Sequence, residues 1–181
     1  MKNVFKIALR VLACMIAILL CALLVFFIIP LTETEDTTSV DGSADWMATL
    51  DDSLPLSEVI LPGTHDSATK YVQLAFFSKC QAKDVGAQLD AGYRYLDIRL
   101  GIDGQEAPTL MHGFTSCKTG ALPWSDTLYL DRVLEQCYAF LHEHPTETIV
   151  FAVKHEHGDA STEYFERSCI PTQSSGRTHG F

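Results

Sequence analysis

From residue 11 to residue 29 the chain is almost wholly Leu, Ile, Val, Phe, Ala and Cys, with no charged residue. About 20 such residues cross a bilayer as a helix. Lys2, Lys6 and Arg10 precede the run, and Glu33, Glu35, Asp36 and Asp41 come after it. That asymmetry keeps the N-terminus cytosolic and the rest on the extracellular side. Residues 1–30 are therefore expected to form one transmembrane anchor. A secreted protein with a cleaved signal is the alternative, but a signal's apolar core is about 7–15 residues and ends at small residues, whereas Phe26-Phe27-Ile28-Ile29-Pro30 offers none. Residues 31–45, rich in Thr, Glu, Asp, Ser and Gly, read as a flexible acidic tether. Trp46-Met47-Ala48-Thr49-Leu50 reads as a short amphipathic turn, covering the bottom of the adjoining domain or simply burying its Trp at the surface.

Beyond it the pattern alternates in type. Glu58-Val59-Ile60-Leu61 predicts a strand stopped by Pro62 and Gly63, and 67–74 a short helix or loop. Val85, Leu89 and Gly92 recur at helical spacing after Asp84 and end on Gly. Residues 95–100 and 109–111 read as strands. Leu130, Val133, Leu134, Cys137, Phe140 and Leu141 form a helical stripe that Asp126 or Thr127 would cap and Pro145 would end. Residues 147–153 lack polar alternation, as a strand buried on both faces would. Strands alternating with helices imply a mainly parallel α/β sheet, and polar groups at strand ends imply a barrel mouth.

The chemistry collects at those ends. His65 and Asp66 come after the first strand, Asp97 and Arg99 share one face of the second, and His112 ends the third before Gly113. Taken singly, each has a plainer role: a turn histidine, or an Asp97–Arg99 structural ion pair. Lys154-His155-Glu156-His157 reads as a solvated loop, with a histidine metal site as the alternative, and His142 and His144 suit the end of a helix. The formal net charge of −10 opposes binding to nucleic acid or anionic lipid. Cys14 and Cys21 fall in the apolar run. Cys80, Cys117, Cys137 and Cys169 would lie outside the cell, with Cys137 a buried thiol and a Cys80–Cys117 bridge one of several pairings.

Gly63-Thr64-His65-Asp66-Ser67, 92–99, Leu110-Met111-His112-Gly113 and 145–156, in that order and spacing, resemble the X region of bacterial phosphatidylinositol-specific phospholipase C. The resemblance covers about residues 54–158 within a region of 46–166, and it implies the N-terminal half of a TIM-barrel-like phosphodiesterase fold. It also implies cleavage of the bond between inositol phosphate and diacylglycerol through a cyclic inositol phosphate. By resemblance, His65 is the general base, His112 the general acid, and Asp66 its support. Asp97 orients its neighbours, Arg99 holds the phosphate, Lys154 contacts the inositol side, and Glu156 pairs with Lys154.

The eukaryotic relatives place Asn after the first histidine and acidic residues around calcium. Asp66 and Arg99 here imply a reaction without metal or other cofactor; calcium on Asp66, Asp97 and Asp103 is the alternative. A full barrel takes roughly 250 residues, so the chain reads as truncated, with the implied chemistry impaired in this chain alone and residues 167–181 as an irregular tail. An exposed sheet edge in such a half-barrel invites self-association. A catalytically silent, membrane-anchored binding protein is the second functional reading.

Overall fold

The computed structural model of the chain describes residues 2–28, 43–102, 106–122 and 124–169. Helix α1 spans Lys2–Ile28. Within it the 22 residues Asn3–Leu24 are long and apolar enough to cross a membrane; at 1.5 Å per residue they reach about 33 Å, close to the hydrocarbon thickness. Of the expected tether, residues 31–42 lie outside the described residues. Ser43 to Asp45 open a 3-10 helix, Ser43–Thr49, instead.

Five strands form one sheet: β1 (Gly63–Thr64), β2 (Tyr95–Gly101), β3 (Thr109–His112), β4 (Thr115–Ser116) and β5 (Val150–His157). β5 pairs in parallel along the whole of β2, from Tyr95↔Val150 to Gly101↔His157. A strand has two edges, so β1 and β3 share the other one. β1 runs parallel to the start of β2 (Thr64↔Leu96), and β3 runs antiparallel to its end (Leu100↔Leu110). Between them the edge at Asp97 is sewn by Ser67, whose amide donates to the Asp97 carbonyl (2.9 Å) and whose hydroxyl accepts from the Asp97 amide (2.9 Å).

The sheet is thus mixed where a mainly parallel one was expected. The link from Ile102 to Pro108 is too short for the dozen or more residues of a parallel crossover, so β3 turns back. β4, which pairs antiparallel with β3, carries no apolar pattern that would have announced it. The first strand is also displaced: Leu56–Glu58 is a 3-10 turn, and pairing begins only at Gly63. β5 starts later and runs further than expected, taking in 154–157, which are therefore strand and not loop. It is half-buried along most of its length, because its outer edge has no strand partner among the described residues.

The alternation of β2 sorts its side chains. Leu96, Ile98 and Leu100 are fully buried, each contributing about 1.5–3 kcal/mol of apolar burial. They pack with Val85 and Leu89 of α3 (Val85–Asp90) and with Leu130, Val133, Cys137 and Phe140 of α4 (Leu130–Glu143). Asp84 caps α3 by accepting from the Ala87 amide at 3.0 Å, and Gly92 leaves it at φ 96°. Neither Asp126 nor Thr127 caps α4: its N-cap is Tyr129, without a side-chain bond. Those two residues are drawn instead into backbone pairing with Lys118 and Thr119.

At the start of β2, Arg94 is wholly buried. It pairs with Glu147 (2.7 Å) and donates to the carbonyls of Leu89, Tyr93 and Ala44. Glu147 also accepts from the Met47 amide, and Trp46 Nε1 donates to the Gly92 carbonyl, so the 3-10 helix is fastened beneath the sheet. After β5, α5 spans Thr162–Cys169; Arg167 to Cys169, expected in an irregular tail, belong to it, and residues 170–181 lie outside the described residues.

Candidate active site

The sheet brings six of the expected residues together at the β2 edge left between β1 and β3. His65 and Asp66 are the first two residues after β1, and Asp97 and Arg99 are successive side chains on the open face of β2. His112 is the last residue of β3, and Glu156 lies on β5 beside Arg99.

Asp66 is the hub. Its backbone is left-handed (φ 48°), a conformation that Asp tolerates better than most residues, and its carboxylate is fully buried. Oδ2 lies 3.0 Å from His65 Nε2 and 3.6 Å from His112 Nδ1, so both rings gather on one oxygen. Oδ1 lies 2.9 Å from Arg99 Nε, a charge contact outside hydrogen-bond alignment. Burial pushes the Asp66 carboxyl above its ordinary value, and the Asp97 charge adds to the rise; His112, Arg99 and His65 oppose it without cancelling it.

Asp97 behaves oppositely. Burial alone would raise its carboxyl, but Arg99's hydrogen bond and charge, the Asp66 amide and His65 together hold it below the ordinary value. Its Oδ2 lies 3.0 Å from His65 Nδ1 and accepts from the Asp66 amide at 3.1 Å. Arg99 Nη2 lies 3.4 Å from the same nitrogen; in the tautomer that donates Nδ1–H to Asp97, the lone pair of His65 falls on Nε2. Arg99 reaches Asp97 with Nη2 (3.1 Å) and Glu156 with Nη1 (3.3 Å), and is fixed by three carboxylates. Lys154 holds the Glu156 carboxyl low through a 2.6 Å contact, with Arg99 and the Gly113 amide helping against burial. Lys154 itself is largely exposed and touches Glu156 alone among these groups.

His112 is aimed from behind. Its Nδ1 lies 2.9 Å from the Ser78 carbonyl, at the end of α2 (Ala75–Ser78), which leaves Nε2 as the outward nitrogen. Gly113 turns the chain at φ 57° and donates to Glu156, tying β3 to β5.

Several contributors carried no assigned role in sequence. Ser67 sews the β2 edge, and Gln88 accepts from Thr64 and donates to the Ser67 carbonyl. Gln81 donates to the His65 carbonyl at 2.6 Å. Cys80 Sγ lies 3.7 Å from His112 Nδ1 and 3.9 Å from Asp66 Oδ2. A hydroxyl beside the His65-Asp66 pair was a readable signal for Ser67; Ser78 acts through backbone and left none. Cys80 and Cys117 are free thiols, not a bridge. Cys137 is a buried thiol on α4, pushed by burial to about 12. His155 stacks on Phe165 at 4.9 Å and His144 bonds Asp45. Asp103, one of the three oxygen donors considered for calcium, lies outside the described residues. The other two, Asp66 and Asp97, already face Arg99.

Residues 53–172 match the family model described as phosphatidylinositol-specific phospholipase C, X domain. A 1-phosphatidylinositol phosphodiesterase of Staphylococcus aureus is 30% identical over 127 residues, covering 67% of this chain and 38% of that protein. The one from Listeria monocytogenes is 28% identical over 154 residues, covering 78% and 44%. The human PI-PLC X domain-containing protein 3 is 28% identical over 148 residues, covering 64% and 43%. A solved phosphatidylinositol-specific phospholipase C from S. aureus superposes with TM-score 0.59 at 27% identity over 73% of this chain and 44% of that one. The L. monocytogenes structure gives 0.55 at 28% identity, covering 69% and 42%. The chain spans about two fifths of the length of these relatives. With two thirds of its own length matched, and the fold matched too, the chain belongs to the phosphatidylinositol-specific phospholipase C X domain family.

Proposed function

We propose that this protein is a phosphodiesterase acting on phosphatidylinositol or a related inositol phospholipid, held at a membrane by α1 with its domain on the extracellular face. The sheet is read as one half of a TIM-type barrel with its mouth at His65 and His112. The observation that carries the reading is one buried carboxylate oxygen, Asp66 Oδ2, reached by both imidazoles beside an arginine clamped by three carboxylates.

Each step needs a group that the geometry supports. His65 Nε2 takes the proton of the inositol 2-hydroxyl while Asp97 holds Nδ1–H. The alkoxide oxygen bonds to phosphorus, the bond from phosphorus to the glycerol oxygen breaks, and His112 Nε2 gives that oxygen its proton. Asp66 and the Ser78 carbonyl steady His112 as it changes charge. Arg99 offers a fixed planar cation to the non-bridging oxygens. The guanidinium already faces Asp66 through Oδ1 and Asp97 through Oδ2, so Arg99 takes the electrostatic part that calcium would otherwise supply. Lys154 and Glu156 flank the inositol side. Leu74, Phe76 and Phe77, exposed on the turn that ends at Ser78, give an apolar rim suited to a lipid substrate.

The test is release of cyclic inositol phosphate from phosphatidylinositol vesicles. His65→Ala and His112→Ala should each lower turnover by about 10²–10⁴-fold, and EDTA should leave it undiminished. Retained activity in either variant removes the assignment, loss with EDTA restores calcium, and a folded but inert wild-type chain favours the silent binding protein.

A further inference from the structure

We propose that His65 Nε2, Asp66 Oδ2 and Cys80 Sγ form a binding site for a thiophilic divalent cation, Zn²⁺ above all, which inhibits the catalytic centre. The three donor atoms all lie within 4.8 Å of one another. His65 Nε2 and Asp66 Oδ2 are 3.0 Å apart, and Asp66 Oδ2 and Cys80 Sγ are 3.9 Å apart. Zinc bonds of about 2.0–2.2 Å to nitrogen and oxygen and 2.3 Å to sulfur, arranged tetrahedrally, separate such pairs by about 3.4 and 3.6 Å. The two pairs at 3.0 and 3.9 Å meet that demand with shifts of a few tenths of an ångström, and the third stays within the 4.8 Å that bounds the group.

The surroundings point the same way. His65 Nδ1 lies 3.0 Å from Asp97 Oδ2, the carboxylate–histidine arrangement that, with the proton on Nδ1, orients a metal-bound imidazole and raises its basicity. The Nε2 lone pair and a carboxylate oxygen at 3.0 Å repel one another unless a proton or a cation lies between them. Asp66 is rigidly placed, and Cys80 is tied by its amide to Thr69 Oγ1, which itself donates to the Asp66 carbonyl. His112 Nδ1 is 3.7 Å from Cys80 Sγ but is engaged by the Ser78 carbonyl. The fourth corner therefore falls to water, giving three protein ligands and one open position.

A thiolate and an imidazole select zinc or cadmium over calcium, which takes six to eight oxygens. On binding, the cation replaces the Cys80 thiol proton, which leaves to solvent, and occupies the His65 nitrogen that the reaction needs. Only this effect on turnover rests on the proposed function; binding does not.

The experiment titrates the full-length protein with Cd²⁺, and with Zn²⁺ in competition against a chromophoric chelator. One equivalent of Cd²⁺ should raise the ultraviolet thiolate charge-transfer band. Cys80→Ser should abolish it and weaken Zn²⁺ binding at least tenfold, whereas Cys169→Ser should do neither. On the unmodified chain, Zn²⁺ should protect Cys80 alone from alkylation, read by peptide mass. A band of unchanged strength in the Cys80→Ser protein, or alkylation of Cys80 undiminished by Zn²⁺, overturns the site. Turnover on phosphatidylinositol should fall with Zn²⁺ and return with EDTA in wild type, and resist Zn²⁺ in Cys80→Ser. An inert enzyme with the cadmium band intact leaves the site standing and removes the catalytic reading.

Discussion

Arg94 and Arg99 stand five residues apart around one strand, and both meet carboxylates, yet they do different work. Arg94 is fully buried, its donors are shared between Glu147 and three carbonyls, and it lies at the closed end of the sheet. Arg99 keeps a partly open guanidinium and faces three carboxylates and a histidine at the open end. A buried pair with every donor used leaves nothing to offer a substrate. A cation held by more negative charge than its own can be turned toward an incoming phosphate without losing its anchor. The two clusters separate holding the fold from doing chemistry, and each can be tested by its loss.

Arg94→Met should produce the larger effect. It leaves Glu147 buried and uncompensated, which costs about 3–5 kcal/mol, and strips three carbonyls and the 3-10 helix of their anchor. Urea unfolding should show the midpoint fall, and the double change with Glu147→Leu should recover part of it. Loss of less than about 1 kcal/mol would mean that water replaces the pair and that the closed end is not closed.

Arg99→Lys comes next and inverts the pattern. The charge stays but the fork that spans Asp66, Asp97 and Glu156 is lost. Turnover should fall about 10²–10³-fold, while unfolding free energy changes by about 1 kcal/mol. Equal stability losses at the two arginines would dissolve the distinction between them.

How much of the molecule is legible in its sequence divides along the same line. Apolar spacing locates α3, α4 and β2, because each buries one regular face. His65, Asp66, Asp97, Arg99, His112 and Glu156 stand out as polar groups at strand ends, and the fold does gather them. The β-type pattern of 109–112 does not tell strand direction, but the length of the 102–108 link does: it is too short for a parallel crossover, a signal the alternation of strands and helices masked. The 154–157 segment looks like loop because its charges face the open side of a strand that pairs along one edge. Arg94 and Glu147 lie inside the family's motifs, but an arginine's burial depends on partners 53 residues away. Cys80 looks like half of a bridge, and only the approach of α2 to β3 reveals that its neighbours are His112 and Asp66.

Asp66 gives the smallest and sharpest test. Its folded carboxyl is raised above the ordinary 3.8, chiefly by burial, so the native state binds that proton more tightly than the unfolded chain. Its contribution is therefore most favourable below pH 3.8 and is lost as pH rises through the folded value: at neutral pH the ionised carboxylate opposes folding. Asp66→Asn keeps the shape, suits the left-handed backbone and cannot ionise. At pH 7 the variant should melt higher than the wild type, with turnover down about 10²-fold. The gap in melting temperature should close as pH falls below 3.8, where wild type is protonated in both states. A lower melting temperature at pH 7 would mean that the carboxylate's ties to Arg99 and the two histidines outweigh its burial. Asp66 would then belong with Arg94 and Glu147 as a fixture of the fold.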